Sequence, residues 1–133
     1  MGKGSKPRPL SVDANAYADN WASTFGKKKS KTIYVDIDGT ICDSPKSDYA
    51  NSKPITERIK VINDLFEAGN TIIYWTARGA TTGIDWGGFT KSQLDEWGCK
   101  YTRLIMNKPH YDLWIDDKAW NDMDYFAEAI YRE

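Results

Sequence analysis

Short runs dense in β-branched and aromatic residues, separated by segments with helical periodicity, constrain the fold of this chain more than any other feature. KTIYVDID (31–38) ends in the turn signal Gly39-Thr40, TIIYW (71–75) in Thr76, and YTRLIM (101–106) in Asn107-Lys108-Pro109; the run Tyr111–Ile115 ends in Asp116-Asp117. Each reads as a strand. TIIYW is apolar enough to be covered on both faces. Between the first two runs, Ile55, Ile59, Ile62 and Phe66 share a helical face, Pro54 suits a first turn, and Gly69 stands where a helix C-terminus takes a left-handed residue. That predicts a helix from about 54 to 68. Thr90–Trp97, ended by Gly98, and Ala119–Tyr131 read as two more. Strands alternating with helices at these lengths predict an α/β fold with a doubly wound parallel sheet.

In such a sheet, side chains just beyond the carboxyl ends of the strands meet in one crevice. Asp36, Asp38, Thr76, Lys108, Asp116 and Asp117 all fall at such ends. Asp36 and Asp38 are two residues apart and point to the same side if the extended geometry persists. Four carboxylates in one place repel one another, and a divalent cation relieves the repulsion. Hard oxygen donors with few imidazoles or thiolates favour Mg²⁺. A site for a metal and an anion is therefore expected.

At 133 residues the chain reads as one domain, with little left for a capping module over that crevice. The formal charge of -1 gives no net bias toward nucleic acid or membrane, but Lys3, Lys6, Arg8, Lys27, Lys28, Lys29 and Lys31 crowd the N-terminal quarter. Residues 1–10 read as a disordered arm, and Tyr17, Trp21 and Phe25 recur at a spacing of four on an amphipathic helix, so 1–30 is read as arm and helix and 31–133 as the core. Cys42 and Cys99 have no Cys-x-x-Cys or His-rich company, which predicts free thiols and a cytoplasmic setting. No apolar run approaches the roughly 20 residues of a membrane span.

In order along the chain, DIDGT (36–40), Thr76, Lys108 and Asp116-Asp117 match the four signature motifs of the haloacid dehalogenase superfamily, over about residues 31–131. TARG (76–79), TGIDW (82–86), QLDEWG (93–98) and NKPHYDLWIDDKA (107–119) resemble a capless, phosphatase-like group found among bacterial sugar and capsule genes. Asn107 departs from that group, in which glycine precedes the Lys-Pro, and a change of loop freedom rather than chemistry is expected. KGSKPRPLSV (3–12) resembles the start of small bacteriophage proteins, which would make the setting a host cytoplasm.

The resemblance implies that Asp36 attacks phosphorus and forms an aspartyl phosphate, which water hydrolyses. A carboxylate is a weak nucleophile, so the charge of the substrate must be neutralised. The family places Mg²⁺ there, which on this chain implies the Asp36 carboxylate, the Asp38 backbone carbonyl and Asp116 as its holders, with Asp117 on a metal water or as a ligand. Asp38 is the implied acid and base, its pKa raised by burial beside other carboxylates. Related ATPases carry threonine there and keep their phosphoenzyme longer, so Asp38 favours hydrolysis. Thr76 and Lys108 are implied to hold the transferring phosphoryl group. Gly39 and Thr40 of the first motif are candidates for substrate contact, as are Arg78, toward a second anionic group, and Trp86, at the mouth. His110 has no part in this scheme.

A receiver domain also gathers an aspartate pair, a threonine and a lysine around Mg²⁺, but its acidic pair lies at the first strand and its phosphorylated aspartate later. Here the second pair follows the lysine. For the substrate, the capsule-group likeness points to a sugar phosphate. The basic arm points instead to a nucleotide or polynucleotide end, or to a non-catalytic phosphate- or nucleic-acid-binding module. Without a cap, a neighbouring copy in a homo-oligomer or a large substrate must close the crevice.

Overall fold

The structure, a computed structural model, describes residues 30–131, so the expected arm and amphipathic helix lie outside the described residues. Strand β1 (Thr32–Val35) leads through a tight turn into the two-residue strands β2 (Cys42–Asp43) and β3 (Lys53–Pro54), which pair antiparallel at the base of a polar flap. Helix α1 (Thr56–Glu67), β4 (Thr71–Trp75), helix α2 (Gly87–Glu96), β5 (Arg103–Ile105) and helix α3 (Asp122–Tyr131) follow. The main sheet is parallel, in the order β1-β4-β5.

The register explains the core. Ile33 pairs with Ile72, Val35 with Tyr74, and Tyr74 with Leu104, so these side chains share one face of the sheet. They form a single cluster with Ile59 and Ile62 of α1, Leu94 of α2 and Phe126 of α3. Each fully buried isoleucine or leucine contributes about 1.5 to 3 kcal/mol. The other face carries Tyr34, Ile73, Trp75, Arg103 and Ile105, and there Tyr34 is 56% exposed. Both crossovers step the same way along the sheet, and right-handed connections of that kind bring their helices to one face.

α1 begins two residues later than predicted, at Thr56, because Pro54 belongs to β3 and Ile55 donates its N–H to the Ile41 carbonyl at 2.8 Å. Its end is as expected: Gly69 has φ +102° and its N–H bonds the Phe66 carbonyl at 3.0 Å. α2 starts at Gly87, inside the stretch predicted to be loop, after Asp85 Oδ1 accepts the Gly87 N–H at 2.9 Å. The predicted strand Tyr111–Ile115 does not pair. It runs as irregular chain with Leu113 and Ile115 75% and 87% exposed, and along β1 the edge away from β4 has no strand among the described residues. β propensity describes a side chain suited to a pleated surface, and pairing needs a partner edge that local sequence does not specify.

Candidate active site

A cleft of about 380 Å³ opens at the carboxyl ends of β1 and β4 and is lined by Asp36, Asp38, Thr76, Arg78, Lys108 and His110, with Ser44, Ser47 and Tyr49 of the flap on one wall. Backbone pairing builds it. β4 and β5 continue past their last strand residues, the Thr76 N–H bonding the Ile105 carbonyl at 3.1 Å and the Lys108 N–H the Thr76 carbonyl at 2.9 Å. Asn107, φ +68°, turns the chain immediately before Lys108. Asparagine tolerates that left-handed conformation better than most residues, so the lysine is delivered as a glycine there would deliver it. On the other wall, Gly39 (φ +83°) makes the turn after Asp38, its N–H bonded to the Cys42 carbonyl at 2.8 Å.

Lys108 Nζ lies 3.4 Å from Asp36 Oδ1, and the Thr40 hydroxyl donates to Asp36 Oδ2 at 3.1 Å. The ammonium also sits over the Trp75 and Tyr111 rings, 5.6 and 5.4 Å from their centroids. Burial pushes the Asp36 carboxyl above its usual range, and Lys108 and Thr40 only partly offset it. The Thr76 hydroxyl accepts the Arg78 N–H at 3.1 Å, leaving its own proton to donate into the cleft.

Asp38 corrects the sequence expectation. Burial raises its pKa, as expected, but hydrogen bonds from Arg78 and Ser44 and the Arg78 charge outweigh that and hold the carboxyl below its usual range. The expectation assumed other carboxylates as neighbours, whereas the nearest charge is a guanidinium. Arg78 Nε and Nη2 grip the two oxygens at 2.9 and 2.8 Å. Arg78, which also lines the cleft, has no exposed side-chain surface and commits its fork to Asp38. Trp86 does not line the cleft; it packs edge-on against Tyr49 and Phe89 at 4.9 and 5.4 Å. Neither Gly39 nor Thr40 is in the lining; Thr40 supports Asp36 through its hydroxyl and Gly39 makes the turn.

Asp116 and Asp117 are not brought to the cleft. Both are exposed; Asp116 accepts the Lys118 N–H at 3.0 Å and the Trp114 indole N–H at 3.4 Å, and Asp117 meets Lys118 Nζ. Among the described residues no three acidic, histidine or cysteine side chains gather as a metal site. Of the expected Mg²⁺ holders, Asp36 and Asp38 stand at the cleft, Asp38 with its backbone carbonyl as the expected donor and its carboxylate held by Arg78, while Asp116 and Asp117 lie away from it. Ser44, Tyr49, Thr90 and Gln93 were not legible as site residues, although Gln93, polar and 8% exposed on α2, is the kind of residue that signals a buried network. Cys42 and Cys99 are free, as predicted, and buried; burial pushes their thiols up to about 11 and about 12, which suits structural roles.

No known family's sequence profile matches the chain, and no curated protein matches it. A crystal structure of a structural-genomics target from Vibrio cholerae is similar, at 26% identity and a TM-score of 0.67, covering 77% of this chain and 92% of that one. Among the described residues no helix is long and apolar enough to cross a membrane.

Proposed function

We propose that the chain is a phosphatase of the haloacid dehalogenase type, hydrolysing a phosphate monoester, with a sugar phosphate the substrate class the sequence favours. One observation carries this reading: Asp36, Thr76 and Lys108, 72 residues apart at the extremes, converge at the ends of adjacent parallel strands. Asp36 Oδ1 attacks phosphorus, the ester P–O bond breaks, and the leaving alkoxide takes a proton. Water then attacks phosphorus of the aspartyl phosphate, giving its proton to a base and freeing Asp36 and inorganic phosphate. Lys108 offsets charge on the phosphoryl oxygens, and the Thr76 hydroxyl donates to one of them. Asp38, held as a carboxylate, is suited to the base step, and the acid step falls to its smaller protonated fraction.

The finer architecture, a doubly wound core, requires the 111–115 run to pair along the open edge of β1. That pairing would carry Asp116 and Asp117 to the end of β1 beside Asp36 and complete a set of hard donors for Mg²⁺. When bound there, Mg²⁺ would supply Lewis-acid neutralisation of the phosphoryl group. The test is hydrolysis of a generic aryl phosphate by the full chain, with and without Mg²⁺, against Asp36→Asn, followed by a panel of sugar phosphates and 3′- and 5′-phosphorylated oligonucleotides. Undiminished turnover in Asp36→Asn overturns the reading; preferred turnover of oligonucleotides moves the substrate to nucleic-acid ends.

A further inference from the structure

Among the described residues Arg78 is the largest fully buried side chain, and its bonds run to Asp38 in the cleft and to helix α2. Behind the fork that grips Asp38, Nη1 donates to Gln93 Oε1 at 2.8 Å and to the Thr90 hydroxyl at 3.2 Å, both on α2. The Gln93 amide nitrogen in turn donates to the Tyr49 carbonyl at 2.8 Å, and the Tyr49 ring lies under the guanidinium, 4.5 Å from its carbon. The flap is therefore fastened at Tyr49 from two directions. Its tip, Lys46 and Ser47, is held at φ +48° and +63°, unusual for residues with a side chain, and Ser47 lines the cleft. Ser44, also on the flap, donates to Asp38 Oδ1.

We propose that Arg78 is a positioning residue that fixes the Asp38 carboxylate and, through Gln93 and the Tyr49 ring, locks the 44–52 flap to it, so that the seated flap and the aligned acid–base group are one state. The inference rests on the phosphatase reading only for the use of Asp38; the lock itself is a property of the fold. A lysine at 78 keeps the charge but cannot reproduce the bidentate fork, the ring stacking and the bond to Gln93 together. The other groups near Asp38 are Cys42 and Ser44 on its own side and Asp36, Lys108 and His110 along the cleft.

Two measurements on the full chain test the lock without turnover. At one fixed neutral pH, carboxyl ¹³C relaxation is expected to show the Asp38 side chain ordered in the native chain, mobile in Arg78→Met, and intermediate in Arg78→Lys. In hydrogen exchange, Gln93→Leu, which keeps Arg78, is expected to speed exchange across 44–52 about tenfold while the sheet stays protected. In turnover assays, Gln93→Leu is expected to lower kcat with little change in KM. An Asp38 side chain as ordered in Arg78→Met as in the native chain, or in Arg78→Lys should the methionine variant not fold, overturns the fixing of Asp38. Unchanged exchange at 44–52 in Gln93→Leu overturns the lock. Both readouts stand if no phosphate ester is turned over, so failure of the lock and failure of the phosphatase reading are separable.

Discussion

Asp36-Ile37-Asp38 and Asp116-Asp117 carry the same sequence signal, carboxylates closing a β-prone run, yet meet opposite fates. The charged partners of the first pair come from far along the chain, Lys108 at a separation of 72 residues and Arg78 at 40. The second pair finds partners only one or two residues away, Trp114 and Lys118, on a segment with Leu113, Ile115 and Trp120 exposed. A carboxylate acquires perturbed chemistry from distant groups that a sheet brings together. A local turn also shifts a carboxylate, the Lys118 N–H and its neighbours holding Asp116 below the usual range, but it leaves the group exposed and away from the cleft.

That contrast can be broken by mutation, and the largest effect is expected at Asp36. Asp36→Asn should lower aryl phosphate turnover by at least on the order of 10³-fold. It should fold at least as well as the native chain near neutral pH, because burial disfavours the charge it removes; thermal melting checks this. Lys108→Met should lower kcat/KM by about 10²-fold, the scale of losing one charge-stabilising donor.

Gly79→Ala should destabilise by about 1 to 3 kcal/mol in denaturant unfolding. Gly79 has φ +81°, and an added methyl group would meet the Ile84 carbonyl and the Trp86 ring, displacing the loop that delivers Arg78. For the second pair, adding Mg²⁺ should slow hydrogen exchange at 111–117 and along β1, and Asp116→Asn should abolish that slowing. Unchanged exchange with Mg²⁺ present would leave the 111–115 run outside the sheet.

The smallest expected effect is on acid stability. A carboxyl held below its usual range stabilises the fold above that range, and the contribution is lost as pH falls through the folded-state value. Asp38 is such a group, so unfolding free energy should fall on acidification less steeply in Asp38→Asn than in the native chain. Asp36, shifted upward, acts in the opposite sense, its contribution being lost as pH rises from the usual carboxylate range through its folded-state value.

The legible parts of the sequence were those set by local pattern. Ile59 and Ile62 marked the buried face of α1, Gly69 its end, and TIIYW the central strand, all of which need only periodicity and backbone preference. The convergence of Asp36, Thr76 and Lys108 followed from strand order, since ends of adjacent parallel strands are neighbours. Arg78, in the glycine-rich loop after Thr76, was read as a contact for a second anionic group of the substrate. Only Thr90 and Gln93, presented from α2, turn it inward. The downward shift of Asp38 follows from that same contact. The 111–115 run shows the opposite failure, a strong strand composition without a partner on the open edge of β1.

The central claim is a covalent bond between Asp36 and phosphorus. Acid quenching during turnover, borohydride reduction of any acyl phosphate and peptide mass spectrometry test it directly. The account predicts conversion of Asp36 to homoserine, dependent on substrate and absent from Asp36→Asn. Steady turnover with Asp36 unmodified, or reduction at another carboxylate, would contradict it.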